Sequence, residues 1–129
     1  MTKDITDRLE ERQARREGHA GETGGETLRV PVNVYETAEA LVVIAPLPGV
    51  MPDDINVAVE DGELRITAAM RSPAPKEYLI HEWHYGPYER TLELPEGFDG
   101  GGTATFGNGQ IAIRITRGVG GGPIPVKPA

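Results

Sequence analysis

The chain of 129 residues contains no cysteine, which excludes disulfides, thiol catalysis and thiolate metal sites. The same absence fits a reducing compartment, and a cytoplasmic location is expected. Positive charge is scarce. Thirteen Lys and Arg stand against 20 Asp and Glu, and the formal net charge of −7 argues against nucleic acid, whose phosphates need a basic surface. No apolar run approaches the roughly 20 residues of a membrane span, and residues 1–27 are too polar for a secretory signal, so no membrane partner is expected. Aromatic residues make up only 5% of the chain, and residues 1–29 contain none. Long helices are disfavoured by 17 Gly and 11 Pro, which instead predict many turns.

Catalytic signatures are missing too. The chain has no Gly-x-Ser-x-Gly elbow, no phosphate-cradling Gly-x-x-x-x-Gly-Lys, and no Gly-x-Gly-x-x-Gly opening a helix. The glycine runs at 100–102 and 118–122 lack the following helix that an anion site needs. The carboxylate pairs Asp53-Asp54 and Glu36/Glu39 lie in turn-like, solvated segments, where capping is the expected role. His81 and His84 form an H-x-x-H pair, which would suggest metal on a helix. In a strand, positions three apart face opposite sides, so the rings are expected to diverge and no metal site is assigned. The expectation is a protein that is not an enzyme and carries no cofactor.

What the sequence does contain is a charged arm, a run of short strands and a tail. The arm occupies residues 1–29: it reads as a solvated, partly disordered segment, with a short helix over Asp4–Glu17 capped by Asp4 as the alternative, and four glycines between Gly18 and Gly25 suggest a hinge. Strand texture begins at Val30. Val30, Val32 and Val34 alternate with polar or proline positions, and Leu41–Ala45 is a continuous apolar run expected to be covered on both sides. Ile55, Val57 and Val59 alternate, then Leu64, Ile66, Ala68 and Met70, with Asp61-Gly62 between as a tight-hairpin signal. Tyr78–Ile80 is a short apolar run, and Glu82 to Leu94 reads as a longer strand interrupted at Gly86-Pro87. Ala104 and Phe106 stand on one side of a Gly-Asn-Gly turn, and Ile111, Ile113 and Ile115 alternate on the other, giving a hairpin with one apolar face. Seven to eight short strands at this spacing predict an all-β fold, an immunoglobulin-like antiparallel β-sandwich over residues 30–117. Residues 118–129 form a glycine-rich, flexible C-terminal extension carrying Ile124, Pro125 and Val126.

The fragments Pro31-Val-Asn-Val-Tyr-Glu36, Ala45-Pro-Leu-Pro-Gly-Val50, Asp54-Ile-Asn-Val57, Gly62-Glu-Leu-Arg-Ile66, Tyr78-Leu-Ile-His-Glu82, Gly86-Pro-Tyr-Glu-Arg90, Leu94-Pro95 and Ala104-Thr-Phe-Gly-Asn-Gly109, followed by Ile124-Pro-Val126, stand in one order. In that order the chain resembles the small heat-shock proteins, the α-crystallin-domain family of ATP-independent chaperones. The resemblance implies a sandwich that dimerises by lending a loop strand, here Tyr78, Leu79 and Ile80, to its partner. It implies Arg90 at the dimer interface, with Trp83 packed at the same seam. It also implies an edge groove, lined by Ile55, Val57, Val59, Ala104 and Phe106, that receives the Ile124-Pro125-Val126 motif or a client. The implied partners are further copies of the chain in a homodimer or a larger homo-oligomer, unfolded client proteins, and ATP-driven refolding chaperones. The chain departs from the family pattern at Gln110, where an apolar residue is usual, so an inward Gln110 would need a hydrogen-bond partner. It departs again in its arm, which in the family is rich in phenylalanine.

Two other readings compete. A co-chaperone adaptor of the CS-domain type has a similar sandwich but gives the tail no role. A carbohydrate-binding sandwich or small hydrolase would use Trp83, Tyr85 and Tyr88 as a stacking platform, for which packing at the dimer seam is the plainer account.

Overall fold

The computed structural model describes residues 27–70, 76–84 and 86–129. Ten strands follow in order: β1 Leu28–Arg29, β2 Asn33–Glu36, β3 Ala40–Pro46, β4 Ile55–Glu60, β5 Glu63–Ala68, β6 Tyr88–Glu93, β7 Gly102–Gly107, β8 Gln110–Thr116, β9 Pro123–Ile124 and β10 Val126–Pro128. A 3-10 turn, Pro52–Asp54, precedes β4. The strands form two five-stranded sheets, ordered β1-β6-β5-β4-β9 and β10-β7-β8-β3-β2. The pairing is antiparallel throughout except where β1 runs parallel to β6 and β10 parallel to β7.

Local chemistry sets the two tight hairpins. Asp61 and Gly62, between β4 and β5, both have positive φ (51° and 75°), as do Asn108 and Gly109 between β7 and β8 (53° and 75°). Consecutive positive values are the type I′ geometry, whose twist matches the flanking strands, and Asp-Gly and Asn-Gly are the dipeptides that tolerate it. The turns then fix register: Val59 faces Leu64 and Val57 faces Ile66, while Phe106 faces Ile111 and Ala104 faces Ile113. Strand alternation does the rest. In β8 every second residue is buried, so Ile111, Ile113 and Ile115 line the core and Gln110, Ala112, Arg114 and Thr116 face outward. The Gln110 side chain thus needs no partner inside.

The core lies between the sheets. Ile55, Val57, Val59, Leu64, Ile66 and Leu92 meet Leu41, Val43, Ala45, Phe106 and the three β8 isoleucines, with Leu47, Phe98 and Val30 closing the ends. An all-β sandwich is therefore the observed architecture, as the periodicity predicted.

The differences from expectation are local. The first strand splits into β1 and β2, because Pro31 cannot donate to a ladder. Leu41–Ala45 is covered on one face: Leu41, Val43 and Ala45 are buried, whereas Val42 and Ile44 are half-buried. The long strand over Glu82–Leu94 begins only at Tyr88, past Pro87, and ends at Glu93. Tyr78–Ile80 is not a strand within the chain. The proposed arm helix, its glycine hinge, the Ser72–Pro75 break and Tyr85 lie outside the described residues. Residues 118–129, expected as a flexible extension, run back along the sandwich edge and contribute β9 and β10.

Ile113 is fully buried between the sheets. Replacing it with Ala should lower the unfolding free energy by about 2–5 kcal/mol, measured by urea denaturation. A loss well under 1 kcal/mol would mean that the core is not centred on β8.

Candidate functional site: the edge groove and its tail

On one side of the sandwich two sheet edges run side by side, β4 of the first sheet and β7 of the second. An edge strand presents a row of unpaired amide and carbonyl groups. Between these edges the apolar residues Ile55, Val57, Val59, Ala104 and Phe106 are all within the core cluster. The structure therefore brings together the five residues expected to line the groove.

The tail fills it. Val57 is in register with Ile124 and Ala58 with Pro123, antiparallel. One residue later the tail changes sheets: Val126 is in register with Ala104, Lys127 with Thr105 and Pro128 with Phe106, parallel. Pro125 stands at the crossing. A proline has no amide to pair and its fixed φ holds the backbone extended, so it suits the one position that belongs to neither ladder. Ile124 is 4% exposed, and Val126 is half-buried against the core. Burying the isoleucine contributes about 1.5–3 kcal/mol, and the half-buried valine less. The contact is real and small.

The approach to the groove is narrower than the sequence suggests. The Val59 amide donates to the Gly122 carbonyl at 3.0 Å, and the Gly121 amide to the Asp99 carbonyl at 2.8 Å. A Cβ on Gly121 would come within 2.8 Å of Val59 Cγ1 and 3.0 Å of the Val59 carbonyl oxygen, so this position requires glycine. Further back, the Asp99 amide donates to the Gly118 carbonyl at 3.1 Å and the Gly118 amide to the Gly97 carbonyl at 2.9 Å. The chain end is held as well, with the Ala129 amide donating to the Phe106 carbonyl at 2.9 Å. Sequence reasoning missed Gly121, Gly122 and the Lys127-Pro128 pairing. A glycine run ending next to Pro123 was the available signal, since glycine marks close backbone approach as well as freedom.

The other predicted site residues lie elsewhere. Tyr78, Leu79, Ile80 and Trp83 are exposed, Leu79 completely. Arg90 is 6% exposed and donates from Nη1 to the Val30 carbonyl oxygen at 2.7 Å, bracing the link between β1 and β2. Trp83 borders a concavity of about 590 Å³ whose walls include Pro31, Pro46, Pro48 and Tyr88. The Tyr88 hydroxyl donates to the Pro48 carbonyl at 2.9 Å.

One expectation is overturned. The rings of His81 and His84 do not diverge: their centroids are 4.2 Å apart with planes at 45°, and Tyr78 stacks on His81 at 4.4 Å. The argument from opposite strand faces fails because the segment is bent rather than extended. Among the described residues no group of three or more His, Asp or Glu side chains is placed to hold a metal ion, and no helix is long and apolar enough to cross a membrane.

Comparison with known proteins identifies the class to which this sandwich belongs. The sequence model of the Hsp20/alpha crystallin family matches residues 33–121. The chain belongs to that family. It is 34% identical over 99 residues to a 19.0 kDa class II heat shock protein of rice, which covers 67% of this chain and 57% of the relative. It is 30% identical over 88 residues to spore protein SP21 of Stigmatella aurantiaca, covering 65% and 52% respectively. The chain thus spans little more than half the length of these relatives. Among solved structures, the hspA protein of Xanthomonas axonopodis superimposes with a TM-score of 0.64 at 32% identity, covering 70% of this chain and 94% of that one. A small heat-shock protein from Xylella fastidiosa gives 0.61 at 28% identity, covering 70% and 87%.

Replacing Ile124 and Val126 together with Gly should leave the sandwich folded and strip amide-exchange protection from Val59 and Ala129, whose acceptors lie across the groove. Unchanged protection at Val59 would show that the β4 edge is covered without the tail.

Proposed function

We propose that the protein is an ATP-independent chaperone, a holdase that binds unfolding proteins at its edge groove and keeps them from aggregating. The observation that carries this reading is Ile124, buried between β4 and β7 by a peptide-like segment that contributes only a few kcal/mol. An unfolding chain can offer the same chemistry, an extended backbone with branched apolar side chains, and add a strand to the same edges. The seal is weak enough to be displaced. Apolar attraction strengthens from cold to warm conditions, where clients begin to expose their cores. The net charge of −7 favours solubility of loaded complexes. No step in this scheme calls for catalysis or a cofactor, and refolding falls to ATP-driven partners.

Self-association belongs to the same reading. The β2 edge has no neighbouring strand among the described residues and carries Tyr35, 52% exposed. The Tyr78–Ile80 segment is apolar and exposed, and a dimer in which each protomer lends it to the other's β2 would cover both surfaces. Arg90 and Trp83 would then flank the seam. Tails that leave their own groove for a neighbour's would build larger particles from dimers, many weak contacts acting through effective concentration. The Xylella fastidiosa relative is described as having a distinct high-order structure.

Equimolar protein should suppress light scattering from a heated model client, and no suppression would refute the holdase reading. The double Ile124→Gly, Val126→Gly variant should shrink any assembly to dimers on size exclusion with light scattering. A wild-type chain that is strictly monomeric would favour instead the adaptor reading, a sandwich that binds a folded chaperone.

A further inference from the structure

We infer that His81 and His84 form a binding site for a divalent transition-metal ion, and that the ion holds the Tyr78–His84 segment in its bent form. The second half of this inference rests on the strand-exchange reading above. Two imidazole nitrogens bound cis to one ion at about 2.1 Å stand about 3.0–3.4 Å apart. The ring centroids lie 4.2 Å apart with planes at 45°, close to the roughly 4.5–5.2 Å between the ring centres of two imidazoles on one ion. Tyr78, stacked on His81 with an interplanar angle of 20°, supports the ring from behind. Both histidines are exposed, so an ion reaches them directly and completes its coordination with water. Imidazole pairs suit nickel, copper and zinc rather than calcium or magnesium. The acidic net charge raises the local concentration of any divalent cation.

The conformational consequence follows from strand geometry. In an extended strand, His81 and His84 would lie about 10 Å apart along the backbone and on opposite faces. One ion cannot bridge them there. A lent strand that continues past Ile80 through His84 is extended over both histidines, so it gives up the site, and a bound ion opposes the exchange by the same free energy with which exchange opposes the ion.

Trp83 is the sole tryptophan of the chain and sits between the two ligands, so nickel chloride should quench its fluorescence on binding. His81→Ala and His84→Ala should each weaken that titration more than about tenfold, whereas His19→Ala, at the remaining histidine, should leave it unchanged. At nickel ten times its dissociation constant, dimer dissociation by sedimentation should rise about a hundredfold, roughly tenfold for each protomer that must release its ion. Quenching that survives in the double alanine variant overturns the site. Quenching that depends on the pair while the dimer constant stays fixed overturns the coupling. A chain that is monomeric at every nickel concentration overturns the strand-exchange reading and the coupling with it, while loss of quenching in the variants would still support the site.

Discussion

The two sheets of the sandwich share a boundary at which β4 and β7 would both lie open, and seven C-terminal residues close it. One short segment satisfies both: Pro123-Ile124 on the first edge, Val126–Pro128 on the second. The closure depends on a change of partner within a single residue, and Pro125 is suited to that change because it brings no amide that either ladder would have to satisfy. The remaining groove chemistry follows from this constraint. Ile124 points into the core cluster because its neighbour in register is Val57, and Val126 packs against the core from the other ladder.

Much of this was legible in the sequence because the signals were local. Asp61-Gly62 and Asn108-Gly109 announced turns whose φ values admit few other residues, and once those turns stood, alternation assigned Val57, Val59, Phe106 and Ile111 to the inside. The burial of Ile55, Val57, Val59, Ala104 and Phe106 was readable for the same reason. The partner of the tail was not. Nothing in Ile124-Pro125-Val126 distinguishes a groove on its own subunit from one on a neighbour, since the motif sees the same edges in both cases.

The misreadings share a cause as well. Reading the chain from Tyr78 onward as extended puts His81 and His84 into a strand context, and the opposite-faces argument follows correctly from a wrong premise. Pairing in β6 begins only at Tyr88, past Pro87, and the rings meet where the backbone bends. Glycine was also read too simply. The run from Gly118 to Gly122 suggests slack, yet Gly121 sits where no Cβ fits beside Val59.

The bonded spacer has a consequence for how far the C-terminus can travel. From Ile115 to Ile124 the backbone could stretch about 25–30 Å if loose. With Gly118 and Gly121 fastened to the Asp99 loop, the leash shortens to the three residues after Gly121, about 10 Å at full reach. A tail that merely lifts from its groove therefore falls back into it, and only rupture of the glycine moorings frees it to cross to a neighbour. Under the tail-exchange reading, the release step thus lies upstream of the hydrophobic motif, in a few main-chain bonds of a glycine-rich stretch.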